Sequence, residues 1–186
     1  VAEREDVFYY VTVMNENYVH PPMPEGVRED ILKGMYRLRT VGAGDGKRVR
    51  LLGSGTILRE VEAAADMLQE RWGVASEIYS VTSFTELARE AQDCARWNLL
   101  HPDEPPRVSH VARLLAGDEP VVAASDYMKA LAEPLRGAID APYHVLGTDG
   151  FGRSDTREEL RLFFEVDRRF VALAALKTLA DRQKIP

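Results

Sequence analysis

The side chains best suited to chemistry in this sequence are few and scattered. Histidine occurs at His20, His101, His110 and His144. No two of them are four residues apart, the spacing that sets a metal-holding pair on one helix face. The single cysteine, Cys94, sits among Ala91, Ala95 and Trp97 and reads as a buried structural thiol. Alone it forms neither an internal disulfide nor a thiolate cage. No histidine is clearly placed as a base for a serine or cysteine nucleophile. Gly53-Ser54-Gly55 lies between a strand-like and a helical segment, where a phosphate-cradling loop would sit. The third glycine of that pattern falls on Leu58, and the acidic residue due at the end of the next strand is replaced by Tyr79-Ser80-Val81. A tight turn is the better reading, with a weak anion site at the helix N-terminus as the functional alternative.

Two other glycine-bearing stretches lie outside that loop. Gly44-Asp45-Gly46 has the form of a diphosphate and magnesium motif, which needs an asparagine downstream. The window Arg71 to Ala75 holds none, and asparagine occurs only at positions 15, 17 and 98. Between Gly42 and Lys47 the triplet reads as a turn. The stretch from Gly147 to Ser154 is more distinctive: three glycines, Phe151 and Arg153 follow a strand-like segment. Ligands and partners of open α/β sheets gather beyond the carboxyl ends of strands. Its residue types point equally to a self-contained turn and to an interface loop with Asp149, Phe151 and Arg153 as contact candidates.

These residues need a scaffold, and the pattern along the chain supplies one. Val7–Met14 is aromatic and β-branched, as in a strand. Residues 15–47 follow as an irregular segment, with three prolines near its start, room for a short helix near Val27–Met35 and an extended piece at Tyr36–Val41. Arg48–Leu52, Ala75–Val81, Pro120–Ser125 and Tyr143–Leu146 read as further strands. Between them, Ile57, Val61, Ala64, Ala65 and Leu68 recur at helical spacing, closed by Gly73. Ser83 and Glu86 form a capping box for a helix to about Leu100. Val108–Leu115 fits a short helix. Met128, Leu131, Leu135 and Ile139 would share a helix face interrupted by Pro134. Asp155 with Glu158 caps a helix to about Phe164, and Asp167 caps a last one whose VALAAL core is apolar almost all round. Alternating strands and helices mean a parallel sheet with right-handed crossovers and helices on both faces. The first strand, entered by a loop rather than a crossover, would be an antiparallel edge.

Composition narrows the function classes. The chain has 186 residues, 24 Lys and Arg against 30 Asp and Glu, and a net charge of −6. That balance argues against general nucleic-acid binding, which needs clustered cations. No apolar run approaches the roughly 20 residues of a membrane span, and no secretory leader is visible. A cytoplasmic protein is expected. The chain opens at Val1 rather than Met, as a piece of a longer protein would.

Several segments taken together carry a family likeness: NENYVHPPMPEG, LLGSGTILREV, YSVTSFTELAREAQDCARWNLLHP, ASDYMKALAE and YHVLGTDGFGRSDTREELRLFFEVD. They resemble the C-terminal portion of the homodimeric bacterial pyruvate dehydrogenase decarboxylase subunits, within the transketolase-like thiamine diphosphate family. The resemblance covers nearly the whole chain. Residues 147–161 resemble a stretch shared more loosely with transketolases, and YSVTSFTELARE and RWNLLHP point to the pyruvate enzymes. It implies an α/β transketolase C-terminal-domain fold, a mixed five-stranded sheet with one antiparallel edge strand, over residues 1–186. It implies a parent oxidoreductase that decarboxylates pyruvate on thiamine diphosphate and Mg2+ and reductively acetylates the lipoyl group of dihydrolipoyl acetyltransferase. In that family the cofactor, its metal ligands and the catalytic histidines belong to the other domains, so no catalytic, cofactor-binding or metal residue is carried over. The implied partners are the other domains of the same subunit, the second subunit of a homodimer and the acetyltransferase. Two other readings stand beside it: a stand-alone anion- or nucleotide-binding module using Gly53-Ser54-Gly55, and a docking surface for the acetyltransferase.

Overall fold

Val49 and Leu51 turn to one side of their strand, and Arg50 and Leu52 to the other, because side chains alternate along an extended chain. All four are buried, as they must be in a central strand covered on both faces. The computed structural model describes residues 6, 8, 17–19, 22–43 and 46–185. Its elements in chain order are α1 (Arg28–Leu32), β1 (Met35–Val41), β2 (Arg48–Ser54), α2 (Leu58–Trp72), β3 (Ala75–Val81), α3 (Phe84–Leu100), α4 (His110–Leu114), β4 (Val121–Ala124), β5 (Tyr143–Leu146), α5 (Arg157–Phe163) and α6 (Arg168–Asp181). The sheet order is β1-β3-β2-β4-β5. β2, β3, β4 and β5 run parallel, and β1 lies antiparallel to β3.

One core packs α2 and α6 on one face of the sheet, through Val61, Ala65 and Leu68 against Val171, Ala175 and Leu179. The other packs α3, α4 and the segment before β5, through Leu87, Val111 and Leu135 against Leu52, Tyr79 and Ala123. The expected mixed five-stranded α/β sheet with helices on both faces is therefore present.

Local chemistry sets the element ends. Gly73 closes α2 at φ 62, a left-handed conformation that glycine takes without a Cβ penalty. The Ser83 hydroxyl accepts the Glu86 N–H at 3.1 Å. The Asp167 carboxylate accepts the Arg169 and Phe170 N–H groups at 2.9 and 3.1 Å. In α6, Val171, Ala172, Ala174 and Ala175 are buried while Leu173 is 58% exposed.

Four expectations need correction. The antiparallel edge is Met35–Val41, whereas Val7–Met14 lies, but for Phe8, outside the described residues. The segment 15–47 is therefore not irregular throughout, since it contains α1 and β1. The helix expected across Pro134 is two 3-10 stretches, Lys129–Leu131 and Glu133–Ala138. Proline has no N–H to donate and its ring clashes with the preceding turn, so an α-helix does not pass through it. The cap of α5 is Thr156, which accepts the Glu159 N–H at 3.3 Å, while Asp155 accepts the N–H of Thr156 itself.

Candidate functional site at the carboxyl edge of the sheet

β2 runs out to one neighbour through α2 and β3, and β4 continues the other way to β5. The crevice between β2 and β4 is therefore a topological switch point, where ligands and partners of α/β sheets collect. A cavity of about 300 Å³ lies there. Thr56 and Ile57 line it from the end of β2, Asp126 from the end of β4 and Thr148 and Gly150 from the end of β5. Arg153, Arg157, Leu160, Arg161, Phe164 and Val166 close the other side.

The loop beyond β5 is pinned to the loop beyond β4. Thr148 N donates to Tyr127 O at 2.9 Å and its hydroxyl to Asp126 O at 2.7 Å. Asp149 Oδ1 accepts the N–H of Lys129 at 3.0 Å, with the Lys129 ammonium 3.7 Å from Oδ2. Gly147 must be small, because a Cβ there would stand 2.7 Å from Tyr127 O. Phe151 then projects 96% exposed. The Arg153 guanidinium lies 3.9 Å from the centre of the Phe163 ring, itself half-exposed. Tyr127 and Met128 add apolar surface at the same edge, 52% and 56% exposed. Of the three residues singled out in the sequence, Asp149 thus fastens its own loop, Phe151 faces outward, and Arg153 lies against Phe163 at the rim of the cavity.

Behind the cavity, Arg161 of its lining is held by a buried carboxylate. Glu60, 8% exposed, accepts from Arg168 Nε at 2.8 Å, from Arg168 N at 3.1 Å and from Arg161 at 3.3 Å. Burial works against its charge, but Arg168 and then Arg161 outweigh it and hold the carboxyl below its ordinary value. Sequence reasoning missed this residue. Its signal would have been an acid on the apolar stripe of α2, between Ile57 and Val61.

Gly53-Ser54-Gly55 has a packing explanation. A Cβ on Gly53 would stand 2.7 Å from Leu58 Cα, so glycine lets α2 sit against β2, and Gly55 turns the chain at φ 57. In Gly44-Asp45-Gly46, the first two residues lie outside the described ones. Among the described residues, no group of three or more His, Cys, Asp and Glu side chains converges as a metal would require.

The other reactive types serve the scaffold. His110 is buried and its Nε2 donates to Met35 O at 2.8 Å while Nδ1 accepts from Arg113 at 3.3 Å, joining α4 to the edge strand. His101 Nδ1 donates to Trp97 O at 2.9 Å, and the two rings stack with centroids 3.6 Å apart. His144 on β5 is held below its ordinary pKa by burial, then by Lys129 and Arg136. His20 lies outside the described residues. Cys94 is half-buried rather than buried, and burial followed by Glu90 pushes its thiol up. At the opposite end of the sheet, Arg50 pairs with Glu77 at 3.2 Å and Glu119 at 2.9 Å. Tyr79, which donates to Glu77 at 3.1 Å, is pushed up to about 12 by burial and by that carboxylate.

A second exposed surface lies on α3. Phe84, Leu87 and Ala88 bury its first turns, but its last turns carry Leu99 and Leu100 at 79% and 53% exposed. The chain folds back so that Asn98 bonds the backbone of Arg107 in both directions, at 2.7 and 2.9 Å.

Residues 34–167 match the family described as the transketolase-like TK C-terminal domain. This chain belongs to that family. It is 61% identical over 186 residues to the pyruvate dehydrogenase E1 component of Cupriavidus necator, covering 99% of this chain and 21% of that protein. It is 56% identical over 184 residues to the protein of the same name from Escherichia coli K12, covering 98% and 20%. It is 54% identical over 187 residues to that of Pseudomonas aeruginosa, covering 100% and 21%. The chain thus spans about a fifth of the length of these curated relatives. Among solved structures, a transketolase from Pichia stipitis superposes with TM-score 0.55 at 18% identity, over 84% of this chain and 19% of that one. The transketolase from Leishmania mexicana does so with TM-score 0.53 at 18% identity, over 82% and 19%. Those two likenesses establish the transketolase C-terminal fold. No described helix is long and apolar enough to cross a membrane.

Proposed function

We propose that this chain is the C-terminal, non-catalytic domain of a pyruvate dehydrogenase decarboxylase subunit. The observation that carries the reading is 61% identity over nearly all of this chain to a protein of that name about five times as long. In this reading residues 1–186 are a single domain of a longer cytoplasmic protein. The remainder of that protein binds thiamine diphosphate and Mg2+, decarboxylates pyruvate and reductively acetylates the lipoyl group of dihydrolipoyl acetyltransferase. No step of that reaction is assigned to residues of this chain.

The work of this domain is packing. Its outward loop, with Phe151 and Arg153 exposed and Asp149 fastening the turn, contacts a neighbouring domain or the second subunit of the homodimer. A nearly fully exposed phenylalanine on a pinned loop supports this, because ordered apolar projections are features of interfaces. The stand-alone anion-binding reading lacks such support, since the glycines at positions 53 and 55 answer to packing and turn geometry.

Phe151→Ala in the full-length subunit tests the interface. Loss of a well-packed aromatic anchor costs about 2 kcal/mol, so sedimentation and melting measurements should show a weaker dimer or a lower Tm. Unchanged dimer stability, Tm and activity would remove the loop from the interface.

A further inference from the structure

The cavity beside the Phe151 loop has a chemistry of its own. Three arginines and one aspartate line it. Arg161 is already matched by Glu60 at 3.3 Å, and Asp126 accepts from the Thr56 hydroxyl at 3.5 Å. Arg153 is different. It packs against the Phe163 ring at 3.9 Å, and no carboxylate of the described residues pairs with it. The ring lies against the guanidinium, whose planar fork of N–H donors suits a bidentate carboxylate. Leu160, Phe164 and Val166 form an apolar wall, which would suit the methylenes of a carboxylate side chain.

We propose that this cavity is a socket for one Asp or Glu side chain, presented by polypeptide of the parent protein outside residues 1–186 and held by Arg153. The proposal rests on the reading of the Phe151 loop as an interface and names what that interface receives. The charge argument is local. A chain with net charge −6 would repel an acidic partner in general, yet here it gathers arginines around a cavity of about 300 Å³, room for a side chain. Local complementarity of this kind fixes register between surfaces.

The test uses the full-length subunit. Arg153→Lys places an amine in the socket, and a water-soluble carbodiimide activates a carboxylate so that an amine in contact with it displaces the activating group, forming an amide as the carbodiimide leaves as its urea. Mass spectrometry should find position 153 joined to an Asp or Glu outside residues 1–186. Arg153→Glu should raise hydrogen exchange across residues 148–163 at least tenfold, while Arg153→Lys leaves it near the unmodified level. If the unmodified loop is protected but cross-links reach only carboxylates of this chain, such as Asp155 or Glu159, or none, the socket is wrong and the interface stands. If the loop exchanges freely in the unmodified full-length protein, both fail.

Discussion

Glu60 joins α2 to α5 and to the start of α6, and its single carboxylate engages Arg161 and Arg168. Removing the charge leaves two arginines without it, one of them only 20% exposed. Glu60→Gln should cost about 2 kcal/mol, read as a lower midpoint in urea unfolding of the chain. An unchanged midpoint would contradict the role given to it. The pH dependence follows. Glu60 sits below the ordinary glutamate value, so its contribution is complete above that value and lost as pH falls through its lower folded one. His144 sits below the ordinary histidine value, so the unfolded chain takes up that proton first and stability also falls as pH drops below that ordinary value. Both act in one direction, and Glu60→Gln should flatten the lower part of the curve. Cys94 yields a third expectation. Its thiol is pushed up by burial and Glu90, and the thiolate is the nucleophile. Iodoacetamide at neutral pH should alkylate it more slowly than glutathione; an equal or faster rate in a mass-spectrometric time course would contradict this. Of the residue-level features, exposure of Phe151 and Arg153 was legible in the loop's composition. The partner of Glu60 was not, because Arg168 reaches it from a distant stretch of chain, and that of Arg153 was not, because the contact with Phe163 depends on how α5 is set after the loop.

At the level of elements, the buried strands and long helices were legible because their patterns are pure. β3 and β5 have the bounds the sequence predicts, and α2 and α3 carry clear apolar stripes. β1 was only half legible: its burial alternates irregularly along MYRLRTV, and a register shift lies between Arg37 and Arg39. An edge strand paired on one side only mixes exposed arginines with buried Met35, which blurs the period-two signal. The sequence pattern places the cap of α5 one residue early, at Asp155 with Glu158, whereas the backbone sets Thr156 to accept from Glu159 N. The close approach of α2 to β2 has a direct consequence. Gly53→Ala sets a Cβ 2.7 Å from Leu58 Cα, and should destabilise the chain by about 1–3 kcal/mol through backbone displacement. Leu68, fully buried between α2 and the sheet, should cost about 2–5 kcal/mol on truncation to alanine. Thermal unfolding of both variants checks the packing; unchanged Tm values would contradict it.

At the scale of the whole molecule, both faces of the sheet carry a packed core, while among the described residues the carboxyl edge around Phe151 and the last turns of α3 around Leu99 expose apolar side chains. Such surfaces are where a domain meets neighbours. The family and the fold follow from the matched residues 34–167 and from the sheet. The assignment of the chemistry to the rest of a parent protein is the central claim, and one measurement tests it most directly. Thiamine diphosphate with Mg2+ is titrated into this 186-residue chain by calorimetry, with a pyruvate decarboxylation assay on the same sample. The account predicts no binding heat and no turnover. Saturable binding, or decarboxylation above the protein-free rate, would contradict it and place a cofactor site within these residues.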